Sequence, residues 1–133
     1  MTIRSAPEFV RLRLSDDPAE YNRAAHEDAP DEVWDEVIAA RPDMKPWVVH
    51  NKTVPLDLLR KLAHDPDPDV RCSVAMKRKL DAELFELLAA DPDPQVRHRV
   101  AVNAKLPHRM LLQLAADAEA MVAEAAQQRL KAR

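Results

Sequence analysis

The fold follows from two consecutive stretches of sequence, HDPDPDVRCSVAMKRKLDAELFELLAAD (residues 64–91) and ADPDPQVRHRVAVNAKLPHRMLLQLAAD (residues 90–117), which carry one pattern. Val70-Arg71 of the first recurs as Val96-Arg97 of the second, so the period is 26 residues. One period earlier the pattern continues in RPDMKPWVVHNKTVPLDLLRKLAHD (residues 41–65). Three apolar columns agree across these copies: Val48, Val74 and Val100; Val54, Leu80 and Leu106; Leu62, Leu88 and Leu114. Agreement over three copies predicts an array of repeated units.

Each copy has the signals of two short helices. In the second copy Asp67 is placed to cap a first helix, with Pro68 at the first helical position, where its missing N–H costs nothing. Asp81 is placed to cap a second helix, whose apolar residues recur at helical spacing. Asp91-Pro92 then ends it, because proline cannot continue a helix. The pattern therefore predicts two helices per 26-residue copy.

Two-helix units of this length are too short to bury their apolar faces alone, and stacking neighbours buries them. We therefore expect an all-α fold, an α-solenoid of about four to five short helical pairs. The predicted organisation is a single repeat domain over residues 1–133. Its predicted segments are an N-terminal cap (1–16), a degenerate repeat (17–40), three repeats (41–66, 67–92 and 93–118) and a C-terminal cap helix (119–133).

Composition excludes several classes of protein. The 133 residues are 47% hydrophobic and include no glycine. Gly-rich phosphate loops, dinucleotide fingerprints and nucleophile elbows all need residues without a Cβ atom, so none is expected. The single cysteine, Cys72, permits no internal disulfide and is typical of a reducing compartment. Without a signal-peptide pattern or an apolar run of about 20 residues, we expect a cytoplasmic protein that has no membrane partner.

The VRxxVA…P…LLxxLAxDPD pattern resembles the leucine-rich repeat variant, a short relative of HEAT-type helical repeats. The residues that carry the resemblance are Val70-Arg71, Val74-Ala75, Leu87-Leu88-Ala89, Asp91-Pro92-Asp93 and their copies, over about residues 30–126. The resemblance implies a HEAT-like architecture and says little about activity. Some relatives carry an iron–sulfur cluster bound by several cysteines, which Cys72 alone cannot supply, so no cofactor is expected.

Basic residues recur where the two helices of each copy are linked. Stacked repeats would bring them into one basic edge, whose members are Lys52, Arg78, Lys79, Arg99, Lys105 and Arg109. Helix dipoles alone can produce this polarity, since cations favour helix C-termini. The alternative is a strip that binds an acidic protein or nucleic-acid phosphates.

A second basic column contains Lys45, Arg71 and Arg97, each a few residues after acids such as those of the DPD motifs. It predicts a structural Asp–Arg ladder, as in HEAT-like arrays. A row of cations for phosphate is the alternative.

The two tryptophans receive different predictions. Trp47 shares its column with Ser73 and Arg99, which indicates an exposed position, and an exposed tryptophan is a candidate binding hot spot. The alternative is that Trp47 packs against the degenerate repeat. Trp34 follows the apolar Val33 and is expected in the core.

No base-assisted nucleophile and no metal-ligand spacing is recognisable, so we expect a protein that is not an enzyme and holds no metal. The predicted function is a protein–protein interaction module, such as an adaptor or an immunity-like inhibitor. The chain has a net charge of -3, and residues 16–43 hold ten acids that could meet a basic target. The alternative is nucleic-acid (DNA) binding through the basic edge. The oligomeric state is left open.

Overall fold

The computed structural model describes residues 2–132, and this part of the chain is all-helical, which confirms the predicted all-α class. It contains ten α-helices, one short 3-10 helix and no strand within these residues. None of the helices there is long and apolar enough to cross a bilayer. The chain divides into two compact units, one ending at Leu59 and one beginning at Arg60. The predicted single domain and its segment boundaries stay predictions.

The first unit is built from four α-helices and the 3-10 helix. These are α1 (Ala6–Arg13), α2 (Pro18–His26), α3 (Asp31–Ala40), the 3-10 helix (Pro42–Met44) and α4 (Lys45–His50). Helix α1 packs on α2 and α3, and α4 packs on α2 and α3. The core of this unit includes Phe9, Leu12, Trp34, Val37 and Val48, all nearly inaccessible to solvent. Helix α5 (Leu56–Leu62) contains the division between the units.

The second unit contains five helices after α5. They are α6 (Pro68–Ala75), α7 (Ala82–Ala89), α8 (Pro94–Ala101), α9 (His108–Leu114) and α10 (Ala120–Ala132). Helix α8 packs against both α6 and α10, and α7 and α9 pack against α8 and against each other. Within this unit, the first helix of one predicted copy, α6, therefore contacts the first helix of the next copy, α8.

The apolar columns of the sequence form the core. Val48, Val74 and Val100 are wholly buried, and Leu62, Leu88 and Leu114 are at most 3% exposed. The column of Val54, Leu80 and Leu106 is less regular, because Leu80 is only half-buried. Burying such side chains contributes about 1.5–3 kcal/mol each, which is why the period is kept most strictly at these positions.

The predicted helix-capping residues are present. The carboxylates of Asp67 and Asp81 accept hydrogen bonds from the backbone N–H groups of Asp69 and Leu84 at the starts of α6 and α7. Pro68 occupies the first position of α6, as predicted. These caps satisfy N–H groups that have no partner within the helix, and they fix where each short helix begins.

Candidate binding surfaces

The predicted binding residues fall into two pockets and an exposed remainder. Trp47 and Lys52 line a pocket of the first unit, and Arg78 and Arg99 line a pocket of the second. Lys79 and Lys105 are exposed and line neither pocket. Arg109 is paired with Glu86 at 2.9 Å on the surface. The predicted single basic edge stays a prediction.

The first pocket, which we call the Trp47 pocket, has a volume of about 470 Å³. Its walls come from the end of α1, from α2, from α4 and from the loop that follows α4. The side chains that carry chemistry there are Arg13, Tyr21, His26, Trp47, His50 and Lys52. Aromatic rings and cationic or imidazole groups therefore share one concave surface, and no carboxylate residue lines it.

The Trp47 ring is partly exposed and also makes contacts with two neighbouring side chains. The side chain is 38% exposed. The Arg13 guanidinium carbon lies 3.5 Å from the ring centroid in a cation–π contact, and the His50 ring meets the indole edge-on at 6.3 Å. Arg13 belongs to the predicted N-terminal cap (1–16) and not to the degenerate repeat (17–40), against which the alternative placed Trp47.

Trp34 is in the core, as predicted. It is 1% exposed and makes an edge-to-face contact with Phe9, with ring centroids 5.3 Å apart. Such aromatic pairs stabilise a core beyond their buried area. The two tryptophans thus differ in role within the same unit.

The loop after α4 is tied to the C-terminal end of α2, and this fixes one wall of the Trp47 pocket. The buried Asn51 amide donates to the carbonyls of Ala24 at 2.8 Å and Glu27 at 2.9 Å. The backbone N–H of Lys52 donates to the carbonyl of Ala25 at 2.8 Å. Because α2 ends here, these donors satisfy carbonyls that have no partner in the helix.

The second pocket, which we call the Arg78 pocket, has a volume of about 210 Å³. Arg78 and Arg99 lie on its walls together with Met76 and Val102. Met76 is 58% exposed and Val102 is 45% exposed. Two guanidinium groups beside two exposed apolar side chains can bind an anionic group that has an apolar neighbour.

The predicted Asp–Arg ladder is present for Arg71 and Arg97, and the structure gives its partners. Arg71 donates to the carboxylate of Asp91, and Arg97 donates to that of Asp117, each with an Nε–Oδ2 distance of 2.9 Å. These acids begin the following turn motif, which is a neighbouring turn, and not the DPD motif just upstream of each arginine. The preceding motif contributes backbone carbonyls, those of Asp65 and Pro66 to Arg71 and that of Asp91 to Arg97. Each carboxylate that accepts from an arginine also accepts a backbone N–H of its own turn, from Asp93 at Asp91 and from Glu119 at Asp117.

Titration shifts agree with this geometry. The hydrogen bond from Arg97 lowers the pKa of Asp117, and the reciprocal bond raises the pKa of Arg97. Both side chains are mostly buried, at 16% and 10% exposure. The guanidinium groups of Arg71 and Arg97 are therefore engaged in ion pairs within the fold and are not available to a ligand. The role of Lys45 in the same column stays a prediction.

Cys72 is partly buried. Burial raises the pKa of its thiol, and the nearby Arg99 guanidinium opposes that rise. A thiol kept protonated is a weak nucleophile and a weak metal ligand. Among residues 2–132 there is no group of three or more His, Cys, Asp and Glu side chains placed to hold a metal ion.

The sequence analysis missed Arg13, Tyr21, Asn51 and Asn103. Arg13 and Tyr21 lie outside the clear repeats, and no periodicity marks them. The asparagines had a signal, since Asn51 and Asn103 stand two periods apart in the same column. Asn103 donates to the carbonyls of Ala75 and Lys77 at 2.8 Å, in the manner of Asn51.

Comparison of the chain with protein-family models, with curated proteins and with solved structures finds no match.

Proposed function

We propose that the chain is a non-catalytic module that binds another protein, and that the Trp47 pocket is its contact site. The observation that carries this proposal is the exposed Trp47 ring, held beneath the Arg13 guanidinium in a concave surface. Tyr21 adds a second ring that is 41% exposed. Tryptophan, tyrosine and arginine are the residues that most often dominate the binding energy of protein interfaces.

Four of the hydroxyl groups support a non-catalytic function because they are used in local structure. Ser5 accepts from the N–H of Glu8 as a helix cap, and Ser15 donates to Glu20. Ser73 donates to the carbonyl of Asp69, and Thr53 donates to the side chain of Asn51. None of these contacts pairs a hydroxyl with a histidine base.

The repeat architecture belongs to the same proposal. Arg71 and Arg97 make equivalent contacts 26 residues apart, and Arg129 donates to the carbonyls of Ala101 and Asn103 one period after Asn103 does the same to Ala75 and Lys77. These recurrences support a HEAT-like repeat array of the leucine-rich-repeat-variant kind, an α-solenoid. A small cytoplasmic adaptor or immunity-like inhibitor is the form of partner-binding protein that this architecture favours.

Nucleic-acid binding is the second candidate, and the Arg78 pocket is the observation that favours it. No carboxylate lines that pocket, and Arg78 and Arg99 stand on its walls. Binding there would weaken steeply with salt, because cations that contact phosphates release condensed counterions.

Affinity capture of the tagged chain from its native lysate tests the proposal. It is done with and without nuclease, for the original chain, for Trp47→Ala and for the double variant Arg78→Gln, Arg99→Gln. We expect a stoichiometric protein partner that survives nuclease, is lost with Trp47→Ala and is kept by the double variant.

The opposite pattern supports the second candidate. Captured material that disappears with nuclease and with the double variant, but persists with Trp47→Ala, would overturn the protein-binding proposal. Circular dichroism of each variant, compared with the original chain, verifies that the helices are intact.

A further inference from the structure

The charges of the Trp47 pocket specify its ligand more closely than the proposed function does. Arg13, Lys52, His26 and His50 line it, whereas aspartate and glutamate are absent from its walls. A concave surface with cations and without acids favours an anionic group. The charges of the pocket therefore favour an anionic protein segment over a neutral or basic one.

Arg13 is prepared to receive a carboxylate. The Trp47 indole covers one face of its guanidinium, and no ion pair or hydrogen bond joins that guanidinium to another side chain or carbonyl of residues 2–132. Stacking leaves the in-plane N–H donors open, and this fork matches the two oxygens of a carboxylate. The half-buried stack is also held in place before the ligand arrives, which reduces the ordering cost of binding.

Three other arginines of the first unit are already paired. Arg11 contacts Glu20 at 2.6 Å, Arg23 contacts Glu27 at 2.6 Å, and Arg41 contacts Asp43 at 2.9 Å. In contrast, neither Arg13 nor Lys52 forms an ion pair with an acid in the described part of the chain. The uncompensated positive charge of the unit therefore includes the two cations of this pocket.

The pocket also offers apolar surface. The exposed parts of Trp47 and Tyr21 lie on its walls, and the small side chains of Ala24 and Ala25 line it as well. Aromatic rings of this kind bind an apolar side chain while their edges remain hydrated. A suitable ligand combines a carboxylate with a neighbouring apolar residue.

From these observations we propose that the Trp47 pocket binds a short acidic peptide segment of the partner. A carboxylate of the segment is held by Arg13 and Lys52, and an adjacent apolar side chain packs on Trp47 and Tyr21. This inference rests on the proposed function and names the chemistry of its partner. A nucleic-acid backbone fits less well, because residues 16–43 carry ten acids against Arg23 and Arg41 and would repel an extended polyanion.

Selection from a library of short random displayed peptides tests the inference on the full chain. We expect the enriched peptides to carry aspartate or glutamate next to a large apolar residue. The affinity of the best peptide for Arg13→Gln should fall roughly 10- to 100-fold, the effect of losing a charge-assisted hydrogen bond to a desolvated carboxylate. Lys52→Gln is the second variant, should the first unfold.

Arg11→Gln is the matched control, because it removes the same charge from the same helix outside the pocket. It should leave the peptide affinity unchanged. A competing short single-stranded oligonucleotide tests the phosphate alternative and should not displace the peptide.

Three results would overturn the inference: enrichment of neutral or basic peptides, no enrichment at all, or equal affinity of the acidic peptide for the original chain and for Arg13→Gln. Displacement by the oligonucleotide would reassign the pocket to phosphate. The capture experiment with Trp47→Ala tests the proposed function alone, because it does not depend on the charge of the ligand. If Trp47→Ala loses the captured partner but the peptide experiment fails, the proposed function stands and only the acidic ligand is wrong.

Discussion

Arg97 in the second unit and Arg13 in the first show two uses of the same side chain. Arg97 is 16% exposed and donates to the Asp117 carboxylate and to the Asp91 carbonyl. Arg13 lies on the Trp47 ring and has no carboxylate partner among residues 2–132. In the regular copies, the arginines of the ladder column are paired with turn acids. Before the regular copies, Arg13 is stacked on an aromatic ring instead, and we propose that its donors serve a ligand.

The largest expected difference in the free energy of unfolding is between substitutions of the two tryptophans. Trp34→Ala should lower the free energy of unfolding by about 3–5 kcal/mol, because it empties a buried site beside Phe9. Trp47→Ala should cost less than about 1.5 kcal/mol, since it removes an exposed ring and one cation–π contact. Urea denaturation followed by circular dichroism measures both. Equal losses would show that Trp47 is a core residue and would remove its role as a binding site.

The ladder arginine should matter for stability more than an exposed one. Arg97→Gln should lower the free energy of unfolding by about 1–3 kcal/mol, because it leaves the mostly buried Asp117 without its partner. Arg109→Gln is the matched control. Its pair with Glu86 has both side chains more than half exposed and contributes about 0–1 kcal/mol. The same denaturation assay compares them, and an Arg97 effect no larger than the control would contradict a structural ladder.

Buried asparagine is a feature that the two units share. Asn103→Asp keeps the size of the side chain but replaces a donor amide by an acceptor that cannot bond the carbonyls of Ala75 and Lys77. We expect a loss of about 1–3 kcal/mol in the free energy of unfolding. Gln113→Glu, the same chemical change at an exposed position, should have little effect. If the two variants were equally stable, the carbonyl contacts of Asn103 would not be structural.

Acid should weaken the ladder. The pKa of Asp117 is lowered in the folded state, chiefly by the hydrogen bond from Arg97. Its contribution is therefore complete above the ordinary aspartate pKa of about 3.9 and is lost as pH falls through the lower folded value. Asp117→Asn should be less stable than the original chain at neutral pH, and this gap should narrow as the pH falls below about 4. A gap that did not change with pH would contradict the ion pair.

The sequence predicted the all-α class, the helix caps and most of the core because each depends on local signals. Asp67 and Pro68 mark a helix start by themselves, and Val74 and Val100 repeat because both fill the same kind of core position. The Trp47 pocket could be predicted only in part. Trp47 stood out as an apolar residue in a polar column, but Arg13 reaches it from a segment that has no repeat partner to align with.

The direction of the ladder could not be predicted for a related reason. The acids before and after Arg71 lie at comparable positions in the pattern, and the sequence does not say which one turns toward it. The choice depends on contacts between residues distant in sequence, and in the structure Arg71 donates to the Asp91 carboxylate, 20 residues further along the chain. From the preceding turn Arg71 binds the carbonyls of Asp65 and Pro66.

The central claim is that a ligand binds at Trp47 while Trp34 serves the core. The most direct measurement is a titration of the ¹⁵N-labelled chain with the selected acidic peptide, followed through the two tryptophan indole N–H signals. Trp47→Phe assigns them. We predict that the Trp47 signal shifts progressively to saturation and that the Trp34 signal does not move. A titration in which the Trp47 signal stays in place, while backbone signals around Arg78 and Arg99 shift, would contradict the account.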